Sequence, residues 1–156
     1  MLGLISDTHG LLREEAVCAL RGADLILHAG DVGSPEILEA LTEIAPLFAV
    51  RGNVDTGVWA KELPMSAVIE AGSVTIYMLH ILKDLEPNSV KTRIQIVVSG
   101  HSHAPGQMEK NGVTYINPGS AGPRRFRLPV TLARLDLGIK PWKAQFIELE
   151  KKFGSQ

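Results

Sequence analysis

The sequence predicts an α/β fold, and three observations support this prediction. In the first third, short apolar runs that end in polar turns alternate with amphipathic segments, as in parallel strands joined by helices. The second half contains hairpin signals instead. At 156 residues, 45% of them hydrophobic, the chain can form one domain with a substantial core. We therefore treat residues 1–156 as one domain and expect the polar segment 151–156 to be frayed.

The first third is predicted to run strand, helix, strand, helix, strand. A helix is expected over Arg13–Leu20, where apolar residues recur at helical spacing, and Gly22 ends it. A second helix begins at Ser34-Pro35-Glu36, because Ser is a common N-cap and Pro is favoured in the first turn. The predicted strands are Leu2–Ile5, Asp24–His28 and Leu47–Val50.

The second half is predicted to be mainly β-structure. Ala71-Gly72-Ser73 and Asn111-Gly112 are turn sequences between β-like runs, so each predicts a hairpin. The strands expected here are Ala67–Glu70, Val74–Leu79, Ile94–Ser99, Gln107–Lys110, Val113–Ile116, Val130–Asp136 and Lys143–Glu150.

Composition and charge exclude several classes of protein. The formal net charge of −1 gives no general attraction to nucleic acid or to an anionic membrane, so we expect stable binding to neither. No apolar run approaches the roughly 18 residues of a spanning helix, and we find no signal peptide. The single cysteine, Cys18, excludes an internal disulfide and fits a reducing cytoplasm. Its apolar neighbours predict that it is buried.

Metal-binding side chains occur in five short motifs, several of which directly follow predicted strands. Ligands gather beyond the carboxyl ends of strands in parallel sheets, which is a reason to group these distant residues. Two Asp, one Asn and four His suit a pair of Mn²⁺, Fe or Zn²⁺ ions better than a structural zinc, which favours thiolates. Paired metals commonly serve to cleave phosphate esters. The motifs are Asp7-Thr8-His9, Gly30-Asp31, Gly52-Asn53, His80 and Gly100-His101-Ser102-His103.

In this order, the five motifs resemble those of the calcineurin-like metallophosphoesterase superfamily. Asn117-Pro118-Gly119-Ser120 and the short length resemble its small YfcE-type phosphodiesterases. The resemblance covers nearly the whole chain. It implies a four-layer αββα sandwich with two facing mixed β-sheets. It also implies phosphodiester hydrolysis by a hydroxide held between two divalent metal ions, most often Mn²⁺, with Fe, Ni²⁺ or Zn²⁺ as alternatives.

The resemblance also implies a role for each ligand. Asp31 would bridge both metals, because a carboxylate offers two oxygens and partly neutralises two cations. Asn53 would add an uncharged oxygen and, with the metals, stabilise charge that grows on the phosphoryl oxygens. The first metal would be bound by Asp7, His9 and His103, and the second by Asn53, His80 and His101.

The sequence departs from the family pattern at two places. Many members carry a His after the Gly-Asn pair, where this chain has Val54. Protonation of the leaving group would then come from water or another residue, or leaving groups of low pKa would be preferred. The strand-terminal His80 is followed by Ile81-Leu82 in place of a polar loop, and the stretch up to Arg93 is shortened.

Four further residues are candidates for supporting or substrate-binding roles. Asp55 is expected to orient a His or a backbone group. His28 precedes the Gly30-Asp31 motif and is expected to support the site or the fold. Arg124 or Arg125 would either reach a substrate phosphate, whose oxygens an Arg fork matches, or remain solvated.

Two alternatives to a phosphodiesterase stay open. One is a non-catalytic scaffold that binds metal or partner proteins, as the retromer subunit of this fold does. The other is a phosphomonoesterase, which would need more cationic groups because a monoester carries an extra charge. In the favoured interpretation the partner is a small phosphodiester, and a homo-oligomer is possible.

Overall fold

Two five-stranded β-sheets face each other in the computed structural model, which describes residues 1–86 and 93–150. The helices are α1 (Glu14–Leu20) and α2 (Pro35–Thr42), and short 3-10 turns span Val58–Glu62 and Leu82–Asp84. The strands are β1 (Leu2–Ile5), β2 (Leu25–His28), β3 (Leu47–Ala49), β4 (Ser66–Ala71), β5 (Val74–Leu79), β6 (Ile96–Val98), β7 (Gly106–Lys110), β8 (Val113–Asn117), β9 (Thr131–Leu135) and β10 (Gln145–Glu148).

Both sheets are mixed. The first has the order β10-β9-β1-β2-β3, in which β1, β2 and β3 are parallel and β9 runs antiparallel to β1. The second has the order β4-β5-β6-β8-β7, with β5, β6 and β8 parallel between two antiparallel edge strands. The parallel strands of each sheet deliver their carboxyl ends to one edge, where the next loops begin.

The main core lies between the sheets. Side chains alternate along the strands, so Leu4 of β1 and Leu27 of β2 point into this layer while Ile5 and Ile26 point to the opposite face. The second sheet contributes Ile69, Ile76, Met78, Ile96, Val98 and Ile116 to the same layer.

Both α-helices cover the outer face of the first sheet. Ala16 and Leu20 of α1 pack there with Ile37 and Leu41 of α2. Gly3 of β1 makes room, because a Cβ at this position would meet the Leu20 side chain. On the outer face of the second sheet, Tyr77, Leu79 and Val97 are covered by a smaller cluster that includes Leu85 and Ile94. The predicted α/β fold with two facing mixed sheets is confirmed.

One expectation about packing is wrong. Cys18 is exposed, because α1 buries the side chains at Ala16 and Leu20, and a residue two positions after Ala16 lies on the opposite side of the helix. Among the described residues, no helix has the length and apolar character needed to cross a membrane.

Candidate metal centre

Loops that follow strands of both sheets bring the predicted ligands to one edge of the molecule. Asp7 and Asp31 lie two and three residues after β1 and β2. His80 directly follows β5, and His101 lies three residues after β6. The backbone amide of Asp7 donates to the Gly30 carbonyl, which joins the first two loops, and the amide of Gly100 donates to the His80 carbonyl, which joins the next two.

The ligand-capable atoms form two triads. Asp7, His9 and His103 form the first, and Asp31, His80 and His101 form the second. Within each triad the nitrogen or oxygen atoms lie within 4.8 Å of one another. These are the groups that the family resemblance assigns to the first and second metal, apart from Asn53. The exposed Asn53 lies at the rim, where its Oδ1 is 3.2 Å from His101 Nδ1.

Asp31 lies between the triads. Its Oδ2 is 3.1 Å from Nε2 of His80 in its own triad and 3.7 Å from Nε2 of His9 in the other. Asp7 Oδ1 in turn lies 3.2 Å from Nε2 of His103 and 3.8 Å from Nε2 of His80. Ligands about 2.0–2.2 Å from a shared ion lie roughly 3 to 3.5 Å apart, so these spacings fit neighbouring metal positions.

The backbone at the site adopts an unusual conformation. Non-glycine residues rarely have positive φ, and strained residues of this kind concentrate at functional sites. The left-handed turns redirect each loop as it leaves its strand. The predicted ligands with positive φ are Asp7 (56°), His9 (46°), Asp31 (54°), His101 (69°) and His103 (61°).

Buried polar atoms without partners show that the donor set fits a cation. Asp7 Oδ1, His9 Nε2 and His80 Nε2 are buried and make no hydrogen bond with the described residues, and the same holds for His103 Nδ1. His80 Nδ1 is 2.7 Å from the Ala29 carbonyl, so this nitrogen carries a proton and Nε2 is the ring atom that can bind a cation. Because Nε2 faces the Asp31 carboxylate at 3.1 Å, the pair needs a positive charge between its atoms, which a proton on Nε2 or a divalent metal supplies.

The carboxylates and imidazoles of the site shift one another's pKa values. Burial raises the pKa of Asp7, but the side chains of His103, His9 and Ser6 outweigh it and hold that pKa far below its usual range. Burial opposes the charge of His80, yet Asp31 and Asp7 raise the pKa of its imidazole. The site therefore stabilises carboxylates and attracts positive charge.

Comparison with known proteins identifies the family. A model of the calcineurin-like phosphoesterase superfamily domain matches residues 1–139. The chain belongs to this superfamily. It is 33% identical to a probable metallophosphoesterase of Methanothermobacter thermautotrophicus over 149 residues, which cover 87% of this chain and 86% of the relative.

Solved structures agree with this assignment. A novel archaeal phosphodiesterase superposes with a TM-score of 0.77 at 22% identity, over 94% of this chain and 99% of that one. YfcE, a phosphoesterase from E. coli, gives a TM-score of 0.69 at 25% identity, over 87% and 88% of the two chains. These comparisons confirm the resemblance inferred from the motifs, both to the superfamily and to YfcE-type phosphoesterases.

Asp55 joins two of the loops that carry predicted ligands in this calcineurin-like domain. Its buried carboxylate accepts hydrogen bonds from the backbone amides of Val32 (3.1 Å), Gly33 (2.9 Å) and Gly52 (2.9 Å). Val32 and Gly33 follow Asp31, and Gly52 precedes Asn53. Asp55 thus orients backbone groups rather than a His, and it fixes the position of Asp31 relative to the loop that carries Asn53.

His28 connects the loops after β1 and β2. Its Nδ1 accepts the Gly30 amide at 3.1 Å, so Nε2 carries the proton and donates to Thr8 Oγ1 at 3.0 Å. The Thr8 hydroxyl in turn donates to the Val32 carbonyl at 2.8 Å. His28 is completely buried, and the network holds it as the neutral imidazole.

The acid stability of the metal-free domain should depend on His28. Burial lowers the pKa of His28 from 6.5 to about 4, although Asp7 and Asp55 oppose the shift. The unfolded chain therefore binds a proton at a higher pH than the native one, and stability falls as pH drops from 6.5 towards 4. The loss reaches about 3 kcal/mol, and chemical unfolding measured across this window checks it.

The control for this prediction is His28→Gln, which has no titrating ring. The other ionisable groups are common to both proteins, so the difference between their unfolding curves isolates the imidazole. The variant should be less stable at pH 7 but lose less stability between pH 6.5 and 4.5. Parallel curves for the two proteins would contradict the buried neutral state of His28.

The structure distinguishes the two candidate arginines. Arg124 Nε lies 2.5 Å from Glu150 Oε2, and the same carboxylate binds Arg13 at 3.0 Å. Arg124 is thus engaged in an ion-pair cluster. Arg125 lies in the following exposed turn, where its carbonyl accepts the Leu128 amide.

One supporting residue, Ser6, could not be recognised from the sequence motifs. Ser6 donates its hydroxyl to Asp7 Oδ2 at 2.6 Å, and the His101 amide donates to the same oxygen at 3.1 Å. Gly100 must be a glycine, because a Cβ there would overlap the Ser6 hydroxyl. Only its position, directly before the first predicted ligand, could have indicated a role for Ser6.

Proposed function

We propose that this domain is a metal-dependent phosphodiesterase with a dinuclear centre. The observation that carries the proposal is the pair of ligand triads with Asp31 between them. The nitrogen and oxygen donors suit Mn²⁺, and also Fe, Ni²⁺ or Zn²⁺. Two such ions, when bound, supply Lewis acidity towards a phosphoryl oxygen and lower the pKa of water towards neutrality.

Side chains of this domain would hold the ions and orient the phosphoryl group. Asp7, His9 and His103 are the proposed ligands of one ion, and His80 and His101 with Asn53 those of the other. Asp31 is the proposed shared ligand, and its second oxygen, Oδ1, accepts the Val54 amide at 3.0 Å, which fixes the carboxylate plane. Asn53 at the rim offers a neutral dipole where charge develops on the phosphoryl group.

Charge favours a diester over a monoester. A phosphomonoester carries one more negative charge and would be stabilised by additional cationic side chains. The basic segment 124–127 contributes less than its sequence suggests, because the Arg124 charge is paired with Glu150. The Val54 side chain carries no proton to donate, so we expect leaving groups of low pKa to react fastest.

The test is hydrolysis of bis(p-nitrophenyl) phosphate beside p-nitrophenyl phosphate, each with Mn²⁺ and after chelation. We expect turnover of the diester that is lost on chelation and restored by Mn²⁺. Equal or better turnover of the monoester would instead indicate a phosphomonoesterase. Failure to hydrolyse either ester, with metals shown to be bound, would indicate a non-catalytic scaffold.

A further inference from the structure

A cleft of about 590 Å³ opens beside the second triad. His101 forms part of its wall, so the cleft begins at the proposed metal centre. The volume lies in the range of about 300–1,000 Å³ that is typical of small-molecule sites. The cleft therefore has room for a substantial group attached to a phosphate held at the metals.

The wall of this cleft is apolar where the family pattern is polar. Ile81 and Leu82, which replace the usual polar loop after the strand-terminal His, line it together with Ala104 and Met108. Leu82 and Met108 are 39% and 55% exposed. Exposed apolar side chains that converge on a concave site favour ligand binding over simple packing.

The two amide side chains in the wall make hydrogen bonds to other parts of the protein. Gln107 donates to the Trp142 carbonyl at 2.6 Å and accepts the Ala144 amide at 2.8 Å. Asn117 donates to the Gly100 carbonyl at 3.0 Å and accepts the Gly119 amide at 2.9 Å. Several of the hydrogen-bonding positions of these two amides are therefore already used by the protein.

The cleft also has a cationic side. Of the described residues that line it, Lys83 alone carries a full positive charge, and its side chain is exposed. An apolar wall, one cation and an adjoining metal site together suit an anion that carries a hydrophobic substituent.

We propose that this cleft binds an apolar ester arm of the substrate, an aryl or alkyl group, so that the enzyme selects phosphodiesters with one hydrophobic arm. The inference rests on the proposed phosphodiesterase function. Selectivity would depend chiefly on Leu82 and Met108, which contact the arm and not the reacting phosphorus.

The kinetic test compares methyl p-nitrophenyl phosphate with benzyl p-nitrophenyl phosphate. Both release the same leaving group, so the ratio of their kcat/KM values measures the effect of the second ester arm. We expect the benzyl ester to be favoured by at least about tenfold, as burial of an aromatic ring would give. Leu82→Asn should reduce this ratio several-fold. Ile139→Asn is the matched control, because Ile139 is 65% exposed and outside the cleft, and it should keep the wild-type ratio.

A binding measurement makes the test independent of turnover. The Zn²⁺-loaded protein with methyl-labelled methionines is titrated with dibenzyl phosphate and then with dimethyl phosphate, and the methyl signals are followed by NMR. Met108 should shift with the benzyl compound only. Met1 is the internal control, because it is 37% exposed and directly precedes β1, at the end of the strand opposite the metal centre.

The outcomes separate the two proposals. Equal turnover of both esters with no response at Met108 would overturn the cleft proposal and leave the phosphodiesterase intact. An equal response of Met1 and Met108 would also overturn it, because it would show non-specific association. Absence of all turnover would overturn the phosphodiesterase, and the Met108 signal would then decide by itself whether the cleft accepts an apolar group.

Discussion

Asp31→Asn should abolish phosphodiester hydrolysis while leaving the fold intact. The amide oxygen can still accept the Val54 amide, which now binds Asp31 Oδ1 at 3.0 Å. The NH₂ group that replaces Oδ2 has no lone pair for a cation, and one negative charge between the triads is lost. Loss of several kcal/mol of electrostatic stabilisation corresponds to a decrease in kcat of about 10³-fold or more.

Three measurements on the purified variant check this result. Bound metal per chain should fall below that of the wild type, kcat should collapse, and the far-UV circular dichroism spectrum should be unchanged. Asp136→Asn is the control, because Asp136 accepts a single amide in an exposed turn. Wild-type turnover by Asp31→Asn with full metal content would refute the shared-ligand role of Asp31.

Asp55→Ala should strongly destabilise the domain. The carboxylate satisfies three backbone amides in two loops, and all three would lose their partner. An unsatisfied buried amide costs about 1–3 kcal/mol, and the amides of Val32 and Gly52 are buried, so the loss is roughly 2–6 kcal/mol. Since small domains are stable by only about 5–15 kcal/mol, the midpoint of urea unfolding should fall markedly.

Metal affinity should fall together with stability. The loop that carries Asp31 would no longer be fixed to the one that carries Asn53, and loss of such supporting contacts costs about 10–100-fold in affinity. Isothermal titration with Mn²⁺ measures this change at a temperature where the variant is folded. Asp136→Ala, which removes one exposed hydrogen bond, should alter neither quantity appreciably. An equally small effect of Asp55→Ala would mean that water replaces the carboxylate.

Local patterns were sufficient for most of the secondary structure. Val74–Leu79 was predicted with its observed bounds, and Asn111-Gly112 forms the turn between β7 and β8 as expected. These signals depend on neighbouring residues only, through alternation and turn chemistry. Cys18 shows the limit of such reasoning, because the packed face of α1 depends on the sheet beneath it and not on the composition of the helix.

The order of the motifs was enough to identify the family and to nominate every proposed ligand. A single Asp or His after a strand would be a weak signal, but five such motifs in a fixed order supply a donor set that metals accept. The ligand set could therefore be written down before the strands were placed in sheets.

Only the tertiary structure decided what surrounds these ligands. It paired β9 with β1 and bound Arg124 to Glu150. Asp55 and His28 join the loops that carry the proposed ligands. It also placed Ile81 and Leu82, which depart from the family motif, in the wall of a cleft. Such contacts join residues far apart in the chain, and their energies depend on distance and burial. A sequence specifies which donors are present, whereas the folded geometry decides which of them meet.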